Sequence, residues 1–103
     1  MRKYPDKIKV GGLTYQIKPR DAYCIDGDEY SAQCRISSLE IHLATKAADG
    51  KDVAVDILQE RLWHEIVHAI SDTWMLKLDE KQTDGVAQGI LQVLKDLGFN
   101  IIE

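Results

Sequence analysis

At Val53 the apolar residues of this chain change their period, and that change limits the fold more than any other feature. Before it, apolar and polar residues alternate in short runs. Ile8-Lys9-Val10 and Leu13-Thr14-Tyr15-Gln16-Ile17 are split by Gly11-Gly12 alone, the pattern of a tight β-hairpin. Pro19 has no N–H to give a ladder and is expected to end the second strand. Residues 20–29 are acidic and rich in turn formers, and read as a loop. Ala32 to Ile36 and Leu39 to Leu43 are the next expected strands, with Ser37-Ser38 as the turn between them. After Val53 the repeat is helical. Val55, Leu58, Leu62, Ile66 and Ala69 fall on one face, widened by Trp63 and Ile70, which predicts a helix over 53–72 with Asp52 as its N-cap. A second helix is predicted from Asp79 to Leu97, stopped by Gly98, with Val86, Ile90, Val93, Leu94 and Leu97 as its apolar stripe. Strands followed by helices make an α+β domain, here an N-terminal hairpin and small sheet packed on two C-terminal helices. The 103 residues suit one domain, with no repeat or linker to divide them.

Composition removes several classes of function. With a net charge of −4 the chain lacks the clustered Lys and Arg that phosphate backbones demand, so neither nucleic acid nor an anionic membrane is an expected partner. Arg2, Lys3, Lys7 and Lys9 read as a solvated edge. No apolar run is long enough to cross a bilayer, and MRKYPDKIKV lacks the apolar core of a signal peptide, so the expected compartment is the cytoplasm. Cys24 and Cys34 are then expected to be reduced thiols. They lack the CxxC spacing of a structural zinc site and read as small hydrophobes.

The chemistry sits in His64-Glu65-Ile66-Val67-His68. Two histidines at i and i+4 project from one face of a helix, one turn apart, and can reach a single Zn²⁺ at about 2.0–2.1 Å. Glu65 is turned about 100° from His64, beside the ligands, where it can hold a metal-activated water and take its proton. The competing reading is two solvated histidines on the weaker side of a core helix. The helix wheel speaks against it: both histidines lie opposite the Leu58/Leu62/Ala69 stripe, so one face can pack on a sheet while the other faces a cleft. A catalytic zinc needs a third protein ligand and one open position. The second helix offers Glu80 and, one turn on, Asp84. With Glu80 at zero on the wheel, Ala87 and Leu91 lie within about 20°, whereas Asp84 is rotated about 40° further toward Gln88 and Lys95. That places Glu80 at the margin of the packed face, as third ligand, and the shorter Asp84 behind a ligand imidazole.

HEIVHAI followed by EKQTDGVAQGILQVLKD resembles the minimal gluzincins, the ImmA/IrrE-like metallopeptidases and the small phage- and prophage-encoded proteins related to them. The resemblance spans roughly residues 34–97 and is strong in 63–70 and 80–96. It implies a strand-rich first half, an HExxH helix, and a second helix that carries the acidic third ligand before a small-residue pattern like Gly85-Val86-Ala87. By it, too, Glu80 is the ligand and Asp84 an outer carboxylate, in a minimal zincin-like fold within the host cell. The chain departs where many relatives have Asn after LKD, since Leu97-Gly98-Phe99-Asn100 follows here.

The expected activity is peptide-bond hydrolysis with a Zn²⁺ cofactor held by His64, His68 and Glu80 and with Glu65 as the base, acting on a peptide or protein substrate. The substrate would lie along an edge strand, 32–36 or 39–43. Asp72, four residues after His68, is a candidate to orient that imidazole. Tyr23 and Tyr30 carry phenols of the kind that stabilise an oxyanion, although their spacing singles out neither. His42 is expected to be exposed and free of metal. Two rivals stand beside the enzyme: a zinc-binding regulatory or interaction protein of phage origin without peptidase activity, and an interaction module whose HExxH is coincidental.

Overall fold

The structure, a computed structural model, describes residues 2–21, 24–25, 28–29 and 31–103. Strands β1 (Lys7–Val10) and β2 (Leu13–Arg20) form the expected hairpin, turning at Gly11-Gly12. Gly11 has φ +62°, and a Cβ there would lie 2.9 Å from Thr73 Cγ2. Both the turn and its contact with the main helix therefore require glycine.

Pro19 does not end β2. The strand runs on to Arg20 and pairs in parallel with β6 (Glu40–Ala44) over Gln16–Arg20. Ile17 N–H donates to Asp6 O on the β1 side, and Gln16 N–H to Leu39 O on the β6 side. Alternation then turns the Pro19 nitrogen toward the β1 side, past that strand's first residue, where no ladder bond is lost. The expected loop at 20–29 contains a two-stranded ladder, β3 (Cys24–Ile25) with β4 (Asp28–Glu29). β5 (Ala32–Arg35) pairs antiparallel with β6, the chain turning through residues 36–39 with Leu39 at φ 56°.

The sheet order is β1-β2-β6-β5, so β6 is interior and β5 is an edge. Register sets Ile17, Ile41 and Cys34 in one row and Pro19, Leu43 and Ala32 in the next. On this face lies α1 (Val55–Thr73), whose Leu58, Leu62 and Ala69 are fully buried with Tyr15, Ile41 and Leu43. Each of the large aliphatic side chains contributes about 1.5–3 kcal/mol by leaving water.

The other face holds a correction. His42 is buried, at 0% exposure, between Arg20, whose Nε donates to Nδ1 at 2.7 Å, and Glu40, whose Oε1 is 3.0 Å from Nε2. The bond from His42 also holds the Glu40 carboxyl below its ordinary pKa. Strand alternation had implied a wet second face. At the sheet centre the flanking rows instead set Lys18 and Gln33 beside the ring.

Asp52 does not cap α1. The N-cap is Ala54, without a side-chain bond, and Asp52 instead pairs with Lys46 at 2.9 Å to close the preceding loop. α2 (Glu80–Asp96) begins and stops as its local sequence dictates. Asp79 and Gln82 form a capping box, and Gly98 takes φ +80° just past the helix end. The face it buries differs from the expected stripe. Thr83, Ala87 and Leu91 are 0, 2 and 8% exposed, whereas Val86, Val93 and Leu97 are 45, 57 and 77% exposed. Near the end of the chain Ile102 is buried, its N–H donating to Gln59 Oε1, and Lys3 and Glu103 exchange backbone bonds.

Candidate metal centre

His64 and His68 stand one turn apart on α1, both partly exposed, with ring centroids 4.8 Å apart. Bringing Glu80 to them is the task of residues 74–79. Met75 and Lys77 adopt φ 51° and 55°, Leu76 N–H donates to Ser71 O, and Leu78 N–H to the buried Ser71 side chain. These bonds tie the start of α2 to the end of α1, so the first residue of α2 faces the histidines. Glu80 Oε2 is 3.1 Å from His64 Nε2, and Oε1 is 2.9 Å from His68 Nε2. Donor atoms of the three residues all lie within 4.8 Å of one another.

This donor set suits a divalent metal. Bonds of about 2.0–2.1 Å at tetrahedral angles put neighbouring ligand atoms about 3.3 Å apart; each histidine is near that distance from a different Glu80 oxygen, and one atom from each residue falls within 4.8 Å of the others. Two imidazole nitrogens and one carboxylate make a three-ligand set with a fourth position left for solvent or substrate. The Glu80 side chain is 76% exposed, so the centre opens directly to solution.

The other candidates fall in different places. Asp84 stands behind His64, its Oδ1 3.5 Å from Nδ1. Asp72 lines the same cleft, but its side chain makes no hydrogen bond or ion pair among the described residues, to His68 or otherwise. Tyr23 and Tyr30 lie outside the described residues. Cys34 is a free, half-buried cysteine whose thiol is pushed up to about 12, first by burial and then by the charges of Glu65 and Asp72.

Glu65 is only 8% exposed and points toward the edge strand. Its Oε1 accepts the Cys34 backbone N–H at 3.0 Å, and no other hydrogen bond reaches it among the described residues. Burial raises its pKa, against the lowering pull of His68, His64 and that N–H. This buried carboxylate lies beside the donor set and not within it.

Of the two strands offered as the edge, 32–36 and 39–43, the first lies at the sheet edge and the second is interior, and the Cys34 N–H that holds Glu65 is the contact the sequence did not suggest. Antiparallel pairing alternates inward and outward groups; Cys34 turns its N–H to Glu65, so Ala32 turns its N–H and C=O the same way. β5 and α1 thus form opposite walls of a cleft of about 870 Å³, with Glu65, His64 and His68 midway along it. Among the described residues no helix is long and apolar enough to cross a membrane. Comparison with protein-family models, curated proteins and solved structures finds no match for this chain.

Proposed function

We propose that the protein is a zinc-dependent peptide hydrolase. The observation that carries the reading is the convergence of His64, His68 and Glu80 beside a buried Glu65 that is held by the edge strand and stays outside the donor set. His64, His68 and Glu80 would hold the ion. When bound, Zn²⁺ supplies Lewis-acid polarisation of a carbonyl and brings the pKa of water down toward about 7. The chain's own residues do the rest. Asp84, facing His64 Nδ1, favours the tautomer with its proton there and leaves the Nε2 lone pair for the ion. The Cys34 N–H fixes one oxygen of Glu65, so its other oxygen takes a proton from water and delivers it to the leaving amine. The outward groups of β5 at Ala32 receive an extended peptide as a fifth strand, which passes beside Glu65.

The test has two parts. Protein purified without chelators should carry about one Zn²⁺ per chain, as two His and one carboxylate expect. Glu65→Gln should keep that metal and lose hydrolysis of any peptide the native protein cuts, whereas His64→Ala or His68→Ala should lose both. Less than about a tenth of an equivalent, with no uptake of added zinc, would remove the metal from the reading. Full activity in Glu65→Gln would remove the base and leave a zinc protein that works otherwise.

A further inference from the structure

The cleft has a charged wall that the metal chemistry does not use. Arg61 lies on α1 four residues before Glu65, on the stripe Arg61-Glu65-His68-Asp72, and lines the cleft. Its side chain is half-buried, yet it makes no hydrogen bond or ion pair among the described residues. Half-buried guanidinium groups ordinarily find a carboxylate, since withdrawing the charge from water is costly otherwise. None of the cleft's acids pairs with Arg61 among the described residues: Glu65, one turn on, turns one oxygen to the Cys34 N–H. Glu80 faces the histidines, Asp84 faces His64 Nδ1, and Asp72 is at the far end of the stripe, about 16 Å along the helix. Glu60 is rotated about 100° around α1 from Arg61.

The opposite wall shows what Arg61 would meet. Ala44 N–H donates to Ser31 O and Val53 N–H to Thr45 O, so the start of β5 lies at the start of α1; Cys34, further along β5, reaches Glu65, further along α1. The strand and the helix therefore run in the same direction. From Cys34 back to Ala32 is about 7 Å along the strand. From Glu65 back to Arg61 is about 6 Å along the helix. A peptide laid on β5 with its reacting bond at Glu65 would present a residue to Arg61 two positions away.

On the peptide-hydrolase reading above, we infer that Arg61 determines specificity by binding a carboxylate of the substrate about two residues from the bond that is cut. The acceptor is the side chain of Glu or Asp, or the free C-terminus of a short peptide; the guanidinium chemistry is the same for both.

Binding to zinc-loaded Glu65→Gln protein tests this apart from turnover. The probes are fluorescein-labelled octapeptides of Ser and Ala in which one Glu, or one Gln in its place, is moved along the chain, each with a free or an amidated C-terminus. At one position Glu should bind about tenfold or more tightly than Gln, the gain typical of a charge-assisted bond. If the gain tracks the free C-terminus instead, Arg61 reads chain ends. Adding Arg61→Gln should abolish the preference, Arg61→Lys should keep part of it, and Arg61→Glu should favour a Lys-bearing peptide. Equal binding of Glu and Gln, and of acid and amide, at every position overturns the inference, as does a preference that survives Arg61→Gln. Zinc content and cleavage by the native protein are measured alongside. Zinc with indifferent cleavage removes Arg61 and leaves the hydrolase; a chain that binds neither zinc nor peptide removes both.

Discussion

The two carboxylates of α2 differ in what they touch, and substitution should separate them. Glu80 reaches both Nε2 atoms, so Glu80→Gln should weaken zinc binding well beyond the roughly 10–100-fold expected when an outer partner such as Asp84 becomes Asn. Competition against a chromophoric chelator measures both. If Asp84→Asn empties the site and Glu80→Gln leaves it loaded, the assignments are reversed. Asp72→Asn should leave zinc affinity unchanged, because the Asp72 side chain bonds to none of His64, His68 and Glu80. At this scale much was legible in the sequence. The i, i+4 spacing aims His64 and His68 together whatever the fold, and the wheel of α2 favours Glu80. His42 was misread because alternation along a strand reports which face a residue occupies and not what covers that face. Arg20 and Glu40, its partners, are separated by twenty residues of chain and meet only through the β2–β6 pairing.

The helices show which parts of an element are locally coded. The ends of α2 were readable because capping is a conversation between near neighbours: Asp79 with Gln82, and Gly98 with the last turn. The buried face was not, since periodicity finds an apolar stripe without saying which stripe meets the neighbour. Thr83 and Ala87 are too polar or too small to register, yet they let α2 approach α1 while Glu80 reaches the histidines. The cost of substitution should follow the observed packing. Leu91→Ala should cost about 2–3 kcal/mol in denaturant unfolding, at the low end for a buried leucine. Val93→Lys and Leu97→Lys should each change stability by less than about 0.5 kcal/mol. Comparable losses at all three positions would mean that α2 packs by its expected stripe after all. Which of the strands 32–36 and 39–43 forms the edge was left open by the sequence, because it follows from a parallel pairing that no local pattern announces.

For the molecule as a whole, burial beneath the cleft sets a limit at alkaline pH. The Cys34 thiol is raised to about 12, and the Tyr15 phenol, buried without a hydrogen-bond partner among the described residues, is raised as well, mainly by burial. An unfolded chain gives up its thiol proton near about 8.5, so between there and about 12 the folded state holds the proton that the unfolded state has lost. Stability contributed by Cys34 is therefore complete below that window and drains away as pH rises through it, with Tyr15 adding to the loss above about 10. Urea midpoints at fixed zinc should fall from pH 8 to pH 10.5, and Cys34→Ala should flatten the earlier part of the fall. A midpoint indifferent to pH over that range would contradict the burial of both groups. The same sheet also carries a consequence for how the chain assembles. Its two hairpins are local and can form within about microseconds, but Gln16 must find Glu40 in parallel before they become one sheet. The intervening chain has to be closed as a loop first, an entropic toll that grows only slowly with length yet precedes any reward from the core. Amides shared between β2 and β6 should thus gain protection from exchange later than those within either hairpin, making the sheet's centre the last part of it to set.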